Sequence, residues 1–167
     1  MNLEKWLYRG GRPNRLASVL NRSSAALYAL GLLPNYLVAL EVVGRRSGRA
    51  ITLPMVMAIV DGQRYLVSML GENVDWVRNV RAAGGRAVLR HGHREEVRLE
   101  EVTADRRAPV LKAYLKRAPG ARPHLPIHQG APLSEFEQVS PQFPVFRVVP
   151  RNVNRMRAEH GLPPDAQ

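Results

Sequence analysis

Tyr36-Leu37-Val38-Ala39-Leu40-Glu41-Val42-Val43-Gly44-Arg45-Arg46-Ser47-Gly48-Arg49-Ala50-Ile51-Thr52-Leu53-Pro54-Met55-Val56-Met57-Ala58-Ile59-Val60-Asp61-Gly62 is the stretch on which the fold turns. Two apolar, β-rich runs, Tyr36 to Val42 and Ile51 to Val60, flank a short polar bend, and Asp61-Gly62 is a strong two-residue hairpin signal before a third run, Arg64 to Leu70. This spacing predicts a three-stranded antiparallel meander. Pro54 falls inside the second run and has no N–H to give a ladder, so a bulge or a sheet edge is expected there, with backbone open to a ligand. The bend brings Arg45, Arg46, Arg49 and the Ser47 hydroxyl to one tight turn containing two glycines, a natural seat for a phosphate or carboxylate.

Downstream, Asp75 to Ala83 reads as a short helix ending at Gly84-Gly85, with Trp76, Val80 and Ala83 on its buried face. Arg86 to Arg90 and Glu95 to Val102, turning at His91-Gly92-His93, form a second hairpin. Pro109 suits a helical first turn ahead of Val110, Leu111, Tyr114 and Leu115. Prolines 119, 123, 126 and 132 exclude a regular helix, and the segment reads as an ordered surface loop or a lid. A brief helix is expected at Ser134 to Val139, then a last strand, Phe143 to Val149, stopped by Pro150. Hairpins dominate, whereas a parallel sheet needs a crossover between every strand pair. The expected fold class is therefore α+β: a small barrel of about six mostly antiparallel strands with flanking helices.

Ahead of this barrel, Leu3, Trp6 and Leu7 form one helical stripe, which Arg9 to Pro13 interrupts. Leu16, Val19, Leu20, Ser23, Leu27 and Leu30 form a second. We divide the chain into an N-terminal amphipathic helical segment (1–35), a barrel domain (36–150) and a polar C-terminal tail (151–167). A basic amphipathic helix ordinarily packs on its own domain; its other use is peripheral contact with an anionic membrane.

Composition narrows the chemistry. The formal net charge is +11, and of 25 cationic residues only Lys5, Lys112 and Lys116 are lysines, so anionic partners are favoured. Aromatic residues make up only 6%, and no basic run reaches five residues, so no specific nucleic-acid site is expected. There is no cysteine, which removes thiol nucleophiles, disulfides and thiolate metal sites. His124 and His128 stand four apart, but Pro123 and Pro126 forbid the helix that would make them a ligand pair, and no metal is expected. The serine of Gly44 to Gly48 lies one place away from that of a nucleophile elbow, on a turn between strands, which argues against a serine hydrolase. No Walker loop or G-x-G-x-x-G occurs. Neither a signal-peptide core nor a membrane span of roughly 18 apolar residues is present, and the expected location is cytoplasmic, with membrane association through the first helix as the variant.

Three segments in order, Gly44-Arg45-Arg46-Ser47-Gly48-Arg49 with Pro54, Gly71-Glu72 with Asp75-Trp76-Val77-Arg78-Asn79-Val80-Arg81-Ala82-Ala83-Gly84, and Phe143-Pro144-Val145-Phe146-Arg147, resemble the deazaflavin (coenzyme F420)-dependent, nitroreductase-like oxidoreductase family. The resemblance spans about residues 36 to 149. It implies a split β-barrel of the FMN-binding type and an enzyme that passes a hydride from reduced F420 to an electron-poor small molecule: a quinone, an enone or a nitro compound. F420 carries a phosphodiester and a glutamate tail, so the resemblance assigns Arg45, Arg46, Ser47 and Arg49 to its anionic end. It sets Leu53, Pro54, Met55, Ser68, Met69 and Leu70 along the ring, with Trp76 and Asn79 beneath it. Ile51, Leu70, Phe136 and Gln138 depart from the nitroreductase branch, which favours a quinone or enone acceptor. The alternatives are an FMN-dependent enzyme on the same barrel and a non-catalytic cofactor carrier. No catalytic side chain is assigned, with Tyr65, Tyr114 and solvent as candidate proton sources. An exposed barrel groove is compatible with a homodimer.

Overall fold

The structure, a computed structural model, describes residues 23–31 and 33–151 and the backbone of Tyr8–Arg9 and Arg12–Pro13. The stripe at Leu3, Trp6 and Leu7, residues Leu16, Val19 and Leu20 of the second stripe, and the tail from residue 152 lie outside the described residues. The elements in order are β1 (Tyr8–Arg9), β2 (Arg12–Pro13), helix α1 over residues 23–29, β3 (Leu37–Val43), β4 (Ala50–Val60) and β5 (Gln63–Val67). Then follow α2 (Asp75–Ala82), β6 (Arg86–His91), β7 (His93–Glu101), α3 (Ala108–Arg117), α4 (Leu133–Val139) and β8 (Val145–Pro150).

Strands β3-β4-β5-β8-β7-β6 close into a barrel in that order, and β6 returns to β3. Every neighbouring pair is antiparallel. Asp61 (φ 49°) and Gly62 (φ 74°) both adopt the left-handed conformation that a tight two-residue hairpin turn demands. Both prolines within the barrel strands, Pro54 and Pro150, sit where no ladder hydrogen bond is lost. Met57 N–H donates to Tyr36 O at 2.7 Å, so by alternation residues 55, 53 and 51 direct their N–H groups at β3, and Pro54, opposite Ala39, faces the other side. Pairing with β5 begins only at Met57, so Pro54 lies on a free edge, as its chemistry predicts. Likewise Arg151 N–H donates to Glu96 O at 3.0 Å, which turns Pro150 toward the side where pairing with β5 has already ended at Arg147. Pro150 is thus the last strand residue and not the stop beyond it.

The strands are two-sided because the barrel has an inner and an outer core. Val38, Leu40, Val42, Met55, Met57, Leu66, Phe146 and Val148 point inward, with Val77 and Val80 of α2 closing the end nearest the arginine turn. Their neighbours Ala58, Val67 and Val145 point outward, under Leu111, Tyr114 and Leu115 of α3 and Phe136 of α4. Phe136 is thus a fully buried packing residue. At the opposite end, Arg64 donates to both oxygens of Glu95, at 2.7 and 2.6 Å, reaching past β8 to tie β5 to β7. That hydrogen bonding holds the Glu95 carboxyl below the usual carboxylate range. Glu101 is held low in the same way, chiefly by Arg81 and secondarily by Arg107.

Two expectations are corrected here. The third strand ends at Val67, not Leu70: Ser68 N–H still donates to Pro144 O at 2.9 Å, but the Ser68 hydroxyl then turns to Gly71 O at 2.6 Å and bends the chain away. The proline-rich segment is a packed layer, not a hinged flap, because its 3-10 turn Pro119–His124 and the residues after it bury Ala121, Leu125 and Ala131 in the outer core. Helix α1 is anchored through backbone: Gly92 N–H donates to Ala29 O at 2.8 Å, and a Cβ on Gly31 would lie 2.6 Å from Gly92 N.

Candidate functional site

The arginine turn closes on itself through Gly44 N–H to Arg49 O and Gly48 N–H to Gly44 O, both 2.8 Å. Gly48 takes φ +65° to permit this, and a Cβ on Gly44 would press to 2.6 Å from Ser47 Oγ. Ser47 Oγ accepts the Arg49 N–H at 3.3 Å, which stiffens the tip.

The three arginines part company at this point. Arg45 turns down onto α2: its backbone N–H and its Nη1 donate to Asn79 Oδ1 at 3.1 and 2.9 Å, and its Nη2 to Asp75 Oδ1 at 3.0 Å. Arg46 and Arg49 are exposed, and neither side chain has a hydrogen-bond or ion-pair partner among the described residues. Two guanidiniums are therefore left to meet an anion beside a serine hydroxyl. Among the described residues the run from Ala50 to Met55 leads away from them with β3 as its only strand neighbour, and its outward edge carries unpaired backbone at Thr52 and no donor at Pro54.

Other expected site residues contribute backbone or support. Leu53 and Met55 point into the inner core, so they offer an outside ligand only main chain. Ser68 is buried, Met69 packs on the outer core and Leu70 on the inner core. Trp76 is half-buried, its ring 5.4 Å from that of Phe146 and tilted by 60°. The fully buried residues of α2 are Val77, Asn79 and Val80; Val80 is buried as expected, while Trp76, packed on the inner core, and Ala83 are only partly buried. Tyr114 is enclosed in the outer core, and burial pushes its phenol well above the ordinary value, which removes it as a proton source. Asp75 was not anticipated as a partner of the turn. Its signal was present, since Asp75 and Asn79 are separated by one helical turn and so share a face.

The donor set suits a ligand with a phosphate or carboxylate end, and an anionic cofactor fits the residues present. Comparison with known proteins points the same way. The structure is similar to that of the conserved hypothetical protein Rv2991 from Mycobacterium tuberculosis, with 18% identity, a TM-score of 0.52, and 86% and 91% of the two chains covered. It is also similar to the Agrobacterium tumefaciens protein Atu2129, of unknown function, with 16% identity and a TM-score of 0.51; 81% of this chain is covered but only 54% of that one. At these identities the likeness establishes the barrel fold alone. An F420-H2 dependent reductase, FDR-A, aligns with 17% identity, a TM-score of 0.46, and 68% and 93% of the two chains covered. No curated protein sequence matches. The family model described as F420H(2)-dependent quinone reductase matches residues 15–123, well over half of the chain and inclusive of the arginine turn, the β4 edge and α2. The chain belongs to the F420H2-dependent quinone reductase family and is an F420-dependent oxidoreductase built on a split β-barrel.

Proposed function

We propose that this enzyme reduces a quinone with reduced F420 bound along the open edge of β4. The observation that carries the reading is the pair of exposed guanidiniums, Arg46 and Arg49, which have no side-chain partner among the described residues and stand at the head of a strand edge unpaired among those residues. The cofactor would supply a hydride to the acceptor there. Arg46 and Arg49 would hold its phosphate and tail carboxylates, with the Ser47 hydroxyl as a further donor. The backbone of Leu53 to Met55 would border the ring, and Pro54 would offer it an apolar, donor-free contact. Trp76, held against Phe146, and Leu70 at the loop after β5 would stand beside it, with Ser68, Met69 and Asn79 supporting them. Arg45 belongs to the same assembly through Asn79. With Tyr114 enclosed and Tyr65 packed on the outer core, the proton that completes quinol formation comes from solvent.

The test is direct. Purified protein titrated with F420 and with FMN is expected to quench F420 fluorescence at lower concentration, and reduced F420 is expected to be oxidised on addition of a quinone. Tighter FMN binding overturns the cofactor, and binding without turnover across quinones, enones and nitroaromatics identifies a carrier.

A second reading concerns where the acceptor is met. Helix α1 buries the small Ala25 and leaves Leu27 55% exposed, and Leu30, in the turn that follows, is 60% exposed, so the segment hugs the barrel with its small side and turns leucines to solvent. No charged residue occurs from Ser23 to Leu40. We infer that this face rests on a bilayer, a natural source of lipid-soluble quinone, and the net charge of +11 favours an anionic one. No helix among the described residues is long and apolar enough to cross a membrane. Co-flotation with phosphatidylglycerol vesicles that is lost in Leu27→Ser/Leu30→Ser is the expected result; an unchanged float, or none for the parent chain, overturns it.

A further inference from the structure

Arg45 spends its donors on the protein, unlike its neighbours. Three hydrogen bonds, one from its main chain and two from its side chain, reach a single helix, and they do so across 34 and 30 residues of sequence. The receiving group is rigid. Asn79 is 3% exposed and sits between Val77 and Val80, whose side chains fill the inner core. A carboxamide oxygen has two lone pairs, and both of those on Asn79 Oδ1 are taken, one by the peptide N–H of Arg45 and one by its guanidinium. Asp75 offsets the positive charge at 3.0 Å, and the Arg45 side chain is only 21% exposed. A cation so engaged has little to give an external anion.

The remainder of the turn has no such tie. Its closing bonds, Gly44 to Arg49 and Gly48 to Gly44, are internal, and among the described residues Ser47 bonds only Arg49. Freed from α2, the turn could pivot as a unit on the ends of β3 and β4. We propose that Arg45 is a positioning residue, a latch onto Asn79 and Asp75 that fixes the turn so that Arg46 and Arg49 meet the cofactor's anionic end already arranged. Binding is then spared the entropy of ordering the turn. This rests on the placement of the anion site at Arg46 and Arg49, and it removes Arg45 from direct contact with the cofactor.

The experiment uses the full chain and F420 itself. Affinity is measured by F420 fluorescence for Arg45→Lys, Asn79→Ala and the double variant, with amide exchange as the structural readout. Arg45→Lys keeps the charge and loses the planar fork that spans two acceptors. Each single variant is expected to bind F420 about tenfold more weakly, and Arg45→Lys, which leaves Asn79 in place, to keep kcat at saturation within about twofold of the parent. Exchange at the Arg45 amide is expected to quicken while Val77 and Val80 stay protected. The double variant is expected to be no worse than the poorer single, since both break one connection. Parent-like binding by Arg45→Lys overturns the latch, because charge alone would then suffice. Multiplying effects in the double variant overturn it too, by showing independent roles. Should Asn79→Ala fail to fold, Arg45→Lys with the exchange readout decides alone. Failure of the underlying site is separately visible: Arg46→Ala with Arg49→Ala would then leave F420 affinity intact.

Discussion

Replacing Arg46 and Arg49 together by alanine is expected to weaken F420 binding about thirty- to hundredfold at low salt and to flatten the salt dependence of what remains. Both side chains are exposed and neither is engaged by the protein among the described residues, so their removal leaves no buried group unpaired. The fold should not notice, and thermal unfolding is expected within about 1 °C of the parent. That separation is the point of the variant. A loss of affinity with unchanged stability is what a ligand-facing cation produces, whereas a structural arginine such as Arg107 behaves otherwise. Arg107 is buried, with its Nε donating to Val102 O at 2.8 Å and Nη2 reaching Glu101 at 3.3 Å, and its truncation would cost stability first. Calorimetric or fluorescence titration at two salt concentrations checks the double variant. Parent-like affinity would move the anionic end of the cofactor away from this turn.

The second large effect lies at the seam where α2 meets the barrel. Gly84 and Gly85 end the helix with left-handed φ of +62° and +82°, Gly84 N–H bonding Arg81 O at 3.1 Å and Gly85 N–H bonding Val80 O at 2.9 Å, the pattern of a Schellman closure. Leu99 N–H in turn donates to Gly85 O at 2.8 Å, and a Cβ on Gly85 would stand 2.5 Å from the Leu99 carbonyl oxygen. Backbone must move to admit it. Gly85→Ala is expected to cost about 2–4 kcal/mol, a fall in midpoint of roughly 5–15 °C. Gly84→Ala is the control, since its Cβ would meet nothing within 4 Å. It bears only the conformational cost of a non-glycine residue at positive φ, about 1 kcal/mol. Equal losses at the two positions would show that the approach to Leu99 does not matter. Because Asn79 and Trp76 ride on α2, Gly85→Ala should also weaken F420 binding at temperatures where the protein is still folded.

Much of the barrel could be read along the chain because its signals are local. Asp61-Gly62 declares a tight hairpin through the backbone angles those two residues accept. Pro54 announces a free edge because it lacks a donor, and that inference needs no knowledge of which strand is missing. The helix at Asp75 and its end at Gly84-Gly85 follow from the same kind of argument. What could not be read was phase and partner. Trp76 and Val77 are adjacent, and only the barrel's inner face decides that Val77 enters the core while Trp76 leans on Phe146. Ser68 ends β5 because Gly71 O is within reach of its hydroxyl, a contact made by a turn not yet formed in the sequence. Four prolines excluded a regular helix from 119 to 132, yet whether such a segment hangs free or packs depends on Ala121, Leu125 and Ala131 finding α3 and α4.

The arginine turn shows the division most sharply. By itself the sequence determined that three guanidiniums, a hydroxyl and two glycines share one bend between two strands, because turn propensity and strand period act over a few residues. It also determined that anionic ligands are favoured, since net charge needs no fold. Only the tertiary structure decided which arginine faces which partner. Closing β3 against β6 and docking α2 over the barrel mouth carries Asn79 and Asp75 to Arg45, and that register is set by core packing among Val77, Val80 and the inner faces of the strands. The consequence is a turn in which one cation is held inward and two are left outward, a distinction between chemically identical side chains that arises from long-range packing alone.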